Sequence, residues 1–298
     1  SEDPADVARA MLLHAWDKGV THFDIANNYG PAPGTAEITF GKVLREDLAS
    51  HRDEMVISSK AGYWMWDGPY GNGGSRKYMI AWCNQSLKRT GLEYFDIFYS
   101  HRYDPQTPIE ETMQALIDIV RQGKALYVGI SKYPPEQQAL AYSILKEAKV
   151  PCLLSQYRCS MFDQKAKRAN FQLAADNGSG VICFSPLAQG LLTGKYDNGI
   201  PEGSRAARST GFLQTSQVTP ERIEAARQLA VIAKERGQSL AQMALAWVLN
   251  DERVTSVIIG TSSVAQLNNN LNTLDNLAFS NEELQAIDNI IGKPELSF

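Results

Sequence analysis

Four residues of this chain stand where chemistry could be done. Asp24 lies at the end of the run THFDIA, Lys60 at the end of MVISSKA, and His101 closes FDIFYSH. Tyr29 comes shortly after Asp24, in the stretch FDIANNYG. A carboxylate, a phenol, an ammonium and an imidazole delivered from successive strand ends could converge on one carbonyl. Such a set can polarise the carbonyl and move a proton to or from its oxygen. Two further polar residues, Ser131 and Gln156, end the next two runs.

Taken singly, each residue has an ordinary role open to it. Asp24 can fix a turn with Asn27 and Asn28, a loop tyrosine can pack, and a lysine at a strand end can be solvated. His14, His22 and His51 read as structural or surface groups. The joint placement on consecutive strand ends is what favours chemistry.

Those ends must be positioned by regular elements. Short apolar runs predict strands at 21–26, 55–61, 95–101, 126–131, 152–157, 180–185 and 254–260. They are mainly apolar rather than alternating, as in parallel strands covered on both faces. Helical patterns lie between them. Thr107, Pro108 and Glu110 predict an N-cap, a first-turn proline and a capping-box partner, with Gly123 after the last turn. Ser75 predicts the cap of a helix running to Thr90, with Gly91 beyond its end. Ser239 opens SLAQMALAWVLN, and Ser280 with Glu283 opens a C-terminal helix.

Successive strand ends lie about 25–40 residues apart, except between Ser185 and Val254. No composition break marks a linker, so residues 1–298 read as one domain. Seven strands alternating with helices suit an open sheet or a barrel. An open dinucleotide-binding sheet would carry GxGxxG after a strand. GNGGSRK at 71–77 has the wrong spacing. The reading is a (β/α)8 TIM barrel, whose catalytic groups gather at the C-terminal strand ends. The chain opens directly on a helix, SEDPADVARAMLLHAW. The first of eight strands is therefore expected to lie before Ser1, outside this sequence.

Composition bounds the function. Hydrophobic residues make up 44% of 298, enough for a substantial core, and the net charge is -4 with both signs scattered. A nucleic-acid binder would show a basic stripe instead. Cys83, Cys152, Cys159 and Cys183 show no CxxC spacing and read as reduced, buried thiols of a cytoplasmic protein. No run approaches a membrane span, no signal peptide is legible, and no His/Cys/Asp cluster has metal-ligand spacing.

The stretches FDIANNYG, ISSKAGY, YSHRYDP, YVGISKY, FSPLAQGLLTGKY and VIIGTSSVAQLNNN occur in that order. With them the chain resembles the aldo-keto reductases over nearly its whole length. It is most similar to the branch of the potassium-channel β subunits and the bacterial reductases of glyceraldehyde 3-phosphate. SHRYD and PLAQGLLTGKY point to the latter.

The resemblance implies hydride transfer from a nicotinamide to a carbonyl carbon. Tyr29 would be the acid, Lys60 its electrostatic partner, Asp24 the group that holds Lys60, and a neutral His101 the donor that aligns the carbonyl. A free phenol has a pKa of about 10, a poor match to neutral pH. An ammonium about 4 Å away, at an effective dielectric near 20, supplies up to roughly 4 kcal/mol of stabilisation for a tyrosinate, before desolvation works against it.

The resemblance also implies the cofactor's contacts. Ser131 and Gln156 would hold the carboxamide and Phe184 would stack on the ring. Ser185, Pro186, Leu187, Gln189 and Gly190, with Lys195, would cover the pyrophosphate. Arg205 would reach the adenosine end, and Gly260, Ser262, Gln266 and Asn270 the adenine and ribose phosphate. Many relatives carry basic residues at the positions of Gly260 and Gln266, and Asn269 replaces a common Glu. NADPH is the expected cofactor, with NADH the alternative.

Tyr63, Trp64, Trp66 and Arg76 form a long loop after Lys60, and Arg102 and Arg158 follow two strand ends. Guanidinium groups with aromatics suit a small phosphorylated or dicarbonyl aldehyde. Tyr63, Trp64, Arg76 and Arg102 are the substrate candidates, with glyceraldehyde 3-phosphate or methylglyoxal-like substrates. Two other readings stand beside the reductase. One is a redox-sensing NADPH-binding module of the channel β-subunit type. The other is a barrel lyase using Lys60 in a Schiff base, which Tyr29 and the pyrophosphate loop argue against. The resembling branch implies a homo-oligomer, a tetramer or octamer.

Overall fold

The computed structural model describes residues 4–196, 199–200 and 214–297. They group into two compact units. The first runs to Gln156 and adds Leu173–Gly180 and Ser262–Val264; the second holds Tyr157–Gln172, Val181–Thr261 and the chain from Ala265 onward.

In the first unit, α1 (Pro4–Asp17) leads to β1 (His22–Asp24), followed by β2 (Val56–Ala61), β3 (Phe95–Ser100), β4 (Ala125–Ser131) and, as far as Gln156, β5 (Cys152–Arg158). Each strand pairs with the next in parallel. The helices α2 (Thr35–Val43), α3 (Arg76–Thr90), α4 (Ile109–Arg121) and α5 (Pro135–Glu147) fill the connections. All six residues of β3 are buried, as its near-continuous apolar run requires.

The second unit contains α6 (Lys165–Ala169), the strands β6 (Gly180–Phe184) and β7 (Val254–Val257), and α8 (Pro220–Glu235), α9 (Leu240–Leu249) and α11 (Asn281–Ile291). The short helices α7 (Phe171–Asp176) and α10 (Val264–Leu271) complete the order. From Val181 onward β6 pairs in parallel with β7. Seven parallel strands separated by helices are the repeat of a (β/α)8 barrel. Among the described residues, no strand precedes α1.

Local chemistry explains most boundaries. Ser75 Oγ accepts from the Tyr78 N–H at 3.3 Å, and Gly91 ends the same helix in the left-handed region at φ 74°. Ser239 with Gln242 and Ser280 with Glu283 close complete capping boxes. One expectation fails. Pro108, not Thr107, stands at the cap of α4, and no side chain caps it. The Thr107 hydroxyl donates instead to Asp104 Oδ2 at 2.7 Å. Asp104 also gathers the N–H groups of Gly74 and Gln106, and this local carboxylate wins the hydroxyl from the helix end. The first and last strands are shorter than their runs. Beyond them single backbone bonds continue, from Ile25 and Asn27 to the Ser58 and Lys60 carbonyls, and from Ile258 to the Cys183 carbonyl.

The register of the first unit carries the site. Asp24 is opposite Ser58, Ser58 opposite Ile97, Lys60 opposite Tyr99, Tyr99 opposite Gly129, and Ser131 opposite Gln156. Partners in a parallel pair share a face, and side chains alternate along each strand. Asp24, Ser58, Lys60, Tyr99, Ser131 and Gln156 therefore line one face, with His22 two residues before Asp24 and His101 two after Tyr99. Gly129 makes room there. A Cβ at this position would lie 2.2 Å from Tyr99 Cε1.

All four cysteines are free and buried, and among the described residues no helix is long and apolar enough to cross a membrane.

Candidate active site

Lys60 is the centre of the face. Its side chain is 0% exposed and its Nζ donates to Asp24 Oδ2 at 2.6 Å and to the Ile25 carbonyl at 2.8 Å. Burial alone would lower this ammonium. The Asp24 charge, with Tyr29 beside it, more than offsets that and holds the Lys60 pKa above its ordinary value. Asp24 is fixed from three sides. Its Oδ1 accepts from the Ser58 hydroxyl at 2.6 Å, and its Oδ2 accepts from Lys60 and, at 3.4 Å, from Gln156 Nε2. Ser58 Oγ in turn lies 3.1 Å from His22 Nε2.

The Lys60 ammonium stands 4.9 Å from the centre of the Tyr29 ring and 5.9 Å from that of Tyr99. Tyr29 is 37% exposed, whereas His101 is 3% exposed. The phenol is thus the most exposed member of the set, and a buried cation backs it. Its loop is pinned at Gly30, φ 114°, where a Cβ would sit 2.0 Å from Thr35 Oγ1.

His101 meets Tyr29 edge-on at 5.7 Å and Tyr63 edge-on at 4.7 Å between ring centres. Its backbone N–H donates to the Ala61 carbonyl at 2.8 Å, which carries the strand pairing one residue further. Its Nδ1 is buried without a hydrogen-bond partner among the described residues. Burial pushes the imidazole well below its usual pKa, and the charges of Lys60, Lys132 and Arg102 push the same way. His101 is therefore neutral near pH 7 and carries one N–H to donate.

This has a consequence for stability. Burial also lowers His22, against the pull of Asp24. The unfolded chain takes up protons on both histidines near pH 6.5, and the folded chain does so only at lower pH. The unfolded state then binds more protons, so stability falls as pH drops below about 6.5 and goes on falling until the folded pKa values are passed. The melting temperature is expected to be lower at about pH 5.5 than at about pH 7.5, with a shallower dependence in His101→Gln. An identical pH dependence in that variant would show that His101 is not held neutral by the fold.

Ser131 is fully buried and its Oγ has no hydrogen-bond partner among the described residues. Gln156 is 2% exposed and bonded to Asp24. An unsatisfied buried hydroxyl is costly, and a ligand amide would satisfy it.

The other predicted residues divide. Tyr63 packs on His101, and Arg102 lies over the Tyr63 ring at 5.2 Å. Trp64 is half exposed and donates to Asp67, and Trp66 packs on Trp82. Arg76 is engaged by Asp118, with its backbone N–H on Glu111. In the second unit, Arg158 lies over the Phe184 ring at 5.8 Å. The segment after Phe184 is left-handed at Ser185, Ala188, Gln189 and Gly190, and Gln189 Nε2 donates to Ser185 Oγ at 2.6 Å. Such clustered strain is common in ligand-binding loops. Pro186 and Leu187 belong to this turn, and Lys195 just beyond it is exposed. Gly260 has open space where a side chain would be, Gln266 and Ser262 are exposed, and Asn270 is 8% exposed. Asn269 donates to Ser239 Oγ at 3.3 Å. Arg205 lies outside the described residues.

Sequence reasoning did not single out Ser58 or Lys132. Ser58 was open to discovery, because the strand period of two puts it on the face of Lys60. Lys132 carried no pattern signal. Among the described residues, no cluster of His, Cys, Asp and Glu could hold a metal ion.

Residues 2–292 match the family described as Aldo/keto reductase family. The chain is 54% identical over 293 residues to an L-glyceraldehyde 3-phosphate reductase of Escherichia coli O157:H7, covering 97% of this chain and 85% of the relative. It is 53% identical, with the same coverage, to the L-glyceraldehyde 3-phosphate reductase of Escherichia coli strain K12.

Proposed function

The chain belongs to the aldo/keto reductase family, and we propose that it reduces a small aldehyde, glyceraldehyde 3-phosphate or a methylglyoxal-like compound, to its alcohol with NADPH. The observation that carries this reading is the buried Lys60, 2.6 Å from Asp24 and 4.9 Å from the Tyr29 ring centre, beside a neutral imidazole.

When bound, a dihydronicotinamide would supply the hydride that the carbonyl carbon takes up. Tyr29 gives its phenolic proton to the carbonyl oxygen as charge builds there. The Lys60 ammonium stabilises the tyrosinate that remains. Asp24, held by Ser58 and Gln156, keeps that ammonium in place and balances its charge. His101 donates one hydrogen bond to the same oxygen and aligns the carbonyl.

Ser131 suits the cofactor's carboxamide, since its buried hydroxyl lacks a partner among the described residues. Phe184, the left-handed turn at 185–190 with Lys195, and Gly260, Ser262, Gln266 and Asn270 are proposed as further cofactor contacts, with Arg205 as a charge partner. NADPH is proposed over NADH on the resemblance of the branch. The match over 2–292 supports reading both units as one domain. The names of the relatives support a phosphorylated three-carbon aldehyde as substrate. A cytoplasmic homo-oligomer, tetramer or octamer, completes the proposal; four free thiols accord with a reducing compartment.

The test is a panel of aldehydes, including both enantiomers of glyceraldehyde 3-phosphate and methylglyoxal, followed at the nicotinamide absorbance with NADPH and NADH in turn. Turnover with NADPH is expected. Tight cofactor binding with negligible turnover across the panel would overturn the reductase and leave a redox-sensing module.

A further inference from the structure

Lys132 follows Ser131 at the C-terminal end of β4. Its backbone is left-handed, at φ 58°, which an L-residue adopts only when its surroundings impose it. Its N–H donates to the Gln156 carbonyl at 3.1 Å. The ammonium lies 2.7 Å from the Tyr63 hydroxyl and 4.6 Å from the centre of the Tyr63 ring.

Arg102 approaches the same ring. Its Nε donates to the Gly62 carbonyl at 2.8 Å, and another guanidinium nitrogen donates to Asn72 Oδ1 at 2.9 Å. Both acceptors are neutral. Asp104 lies within electrostatic reach of Arg102, but its oxygens are taken by Gly74, Gln106 and Thr107. Two cations thus flank one phenol, and the edge of that phenol rests on His101. All four residues belong to the first unit.

A ligand whose carbonyl is aligned by His101 would have its far end beside this cluster. An ammonium, a guanidinium and a phenolic hydroxyl are donors matched to a phosphate's several acceptor oxygens. We propose that Lys132, Arg102 and Tyr63 form a phosphate subsite next to His101, which selects aldehydes carrying a phosphate over the same aldehydes without one. The proposal rests on reading the chain as a reductase and names what sets its substrate class.

The experiment compares wild type with Lys132→Met, Lys132→Gln and Lys132→Arg. Two readouts are taken. The first is the ratio of kcat/KM for glyceraldehyde 3-phosphate over glyceraldehyde, with the KM for NADPH measured alongside. The second is calorimetric binding of inorganic phosphate to the enzyme saturated with NADP+. The ratio is expected to fall about 10- to 100-fold in the Met and Gln variants, the scale of a lost hydrogen bond to a charged group. Phosphate binding should weaken in parallel, and the Arg variant should keep most of both. An unchanged ratio, or a loss confined to the KM for NADPH, overturns the subsite. A wild type that reduces neither aldehyde defeats the reductase reading instead. In that case phosphate binding decides the subsite, which stands if the Met and Gln variants weaken binding and falls if they bind as wild type does. Two replacements of different polarity guard against one of them disturbing the fold.

Discussion

Tyr29→Phe is expected to lower turnover by roughly two to four orders of magnitude while leaving NADPH affinity nearly intact. The change removes one oxygen from a ring that is 37% exposed. Its packing against His101 and the Lys60 ammonium involves the ring, which phenylalanine keeps. Stability should therefore move little, within about 0.5 kcal/mol. What disappears is the proton that must reach the carbonyl oxygen. His101 does not replace it, because the imidazole is held neutral and gives a hydrogen bond rather than a proton. The measurement is kcat at saturating aldehyde, with the NADPH Kd taken separately from fluorescence quenching. Turnover within a few-fold of wild type would remove Tyr29 from its role, whatever the cofactor affinity.

Much of this arrangement was legible in the sequence, for a physical reason. Buried parallel strands are short apolar runs, so a polar residue at their end stands out. Asp24, Lys60, His101, Ser131 and Gln156 all announce themselves in this way, and all fall on one face of the paired strands. Strand positions were legible for the same reason, and the caps at Ser75, Ser239 and Ser280 because a hydroxyl before a helix has one obvious partner. Thr107 looked equally clear but was taken by Asp104, a competition that only the folded loop reveals.

Residues that act through contacts distant in sequence were less legible. Nothing local to Ser58 says that its hydroxyl meets Asp24, 34 positions earlier. Lys132 reaches Tyr63 across 69 positions, and the left-handed backbone that aims it has no glycine to mark it. Arg76 shows the converse. A basic residue beside an aromatic loop reads as a substrate contact, yet its guanidinium lies on Asp118. Charge pattern alone does not tell a cation held by a carboxylate from one held by a phenol.

Lys60→Met separates the two things that the buried ammonium does. Lys60 is fully buried and Asp24 is nearly so, with 7% of its side chain exposed. Removing the cation leaves a carboxylate in the interior with Ser58 and Gln156 as its remaining donors among the described residues. Breaking a buried pair in this way costs about 3–5 kcal/mol, and two remaining hydrogen bonds argue for the lower end. Turnover should fall on the scale of Tyr29→Phe, because phenol and ammonium act as one unit, and the double variant Tyr29→Phe/Lys60→Met should be little worse than either alone. Adding Asp24→Asn to Lys60→Met removes the stranded charge. Stability, read from urea unfolding, should then recover most of its loss, while turnover should not recover, since nothing is left to support the tyrosinate. Recovery of both together would mean that Lys60 serves only to hold the strands, and that proton transfer from Tyr29 does not depend on it.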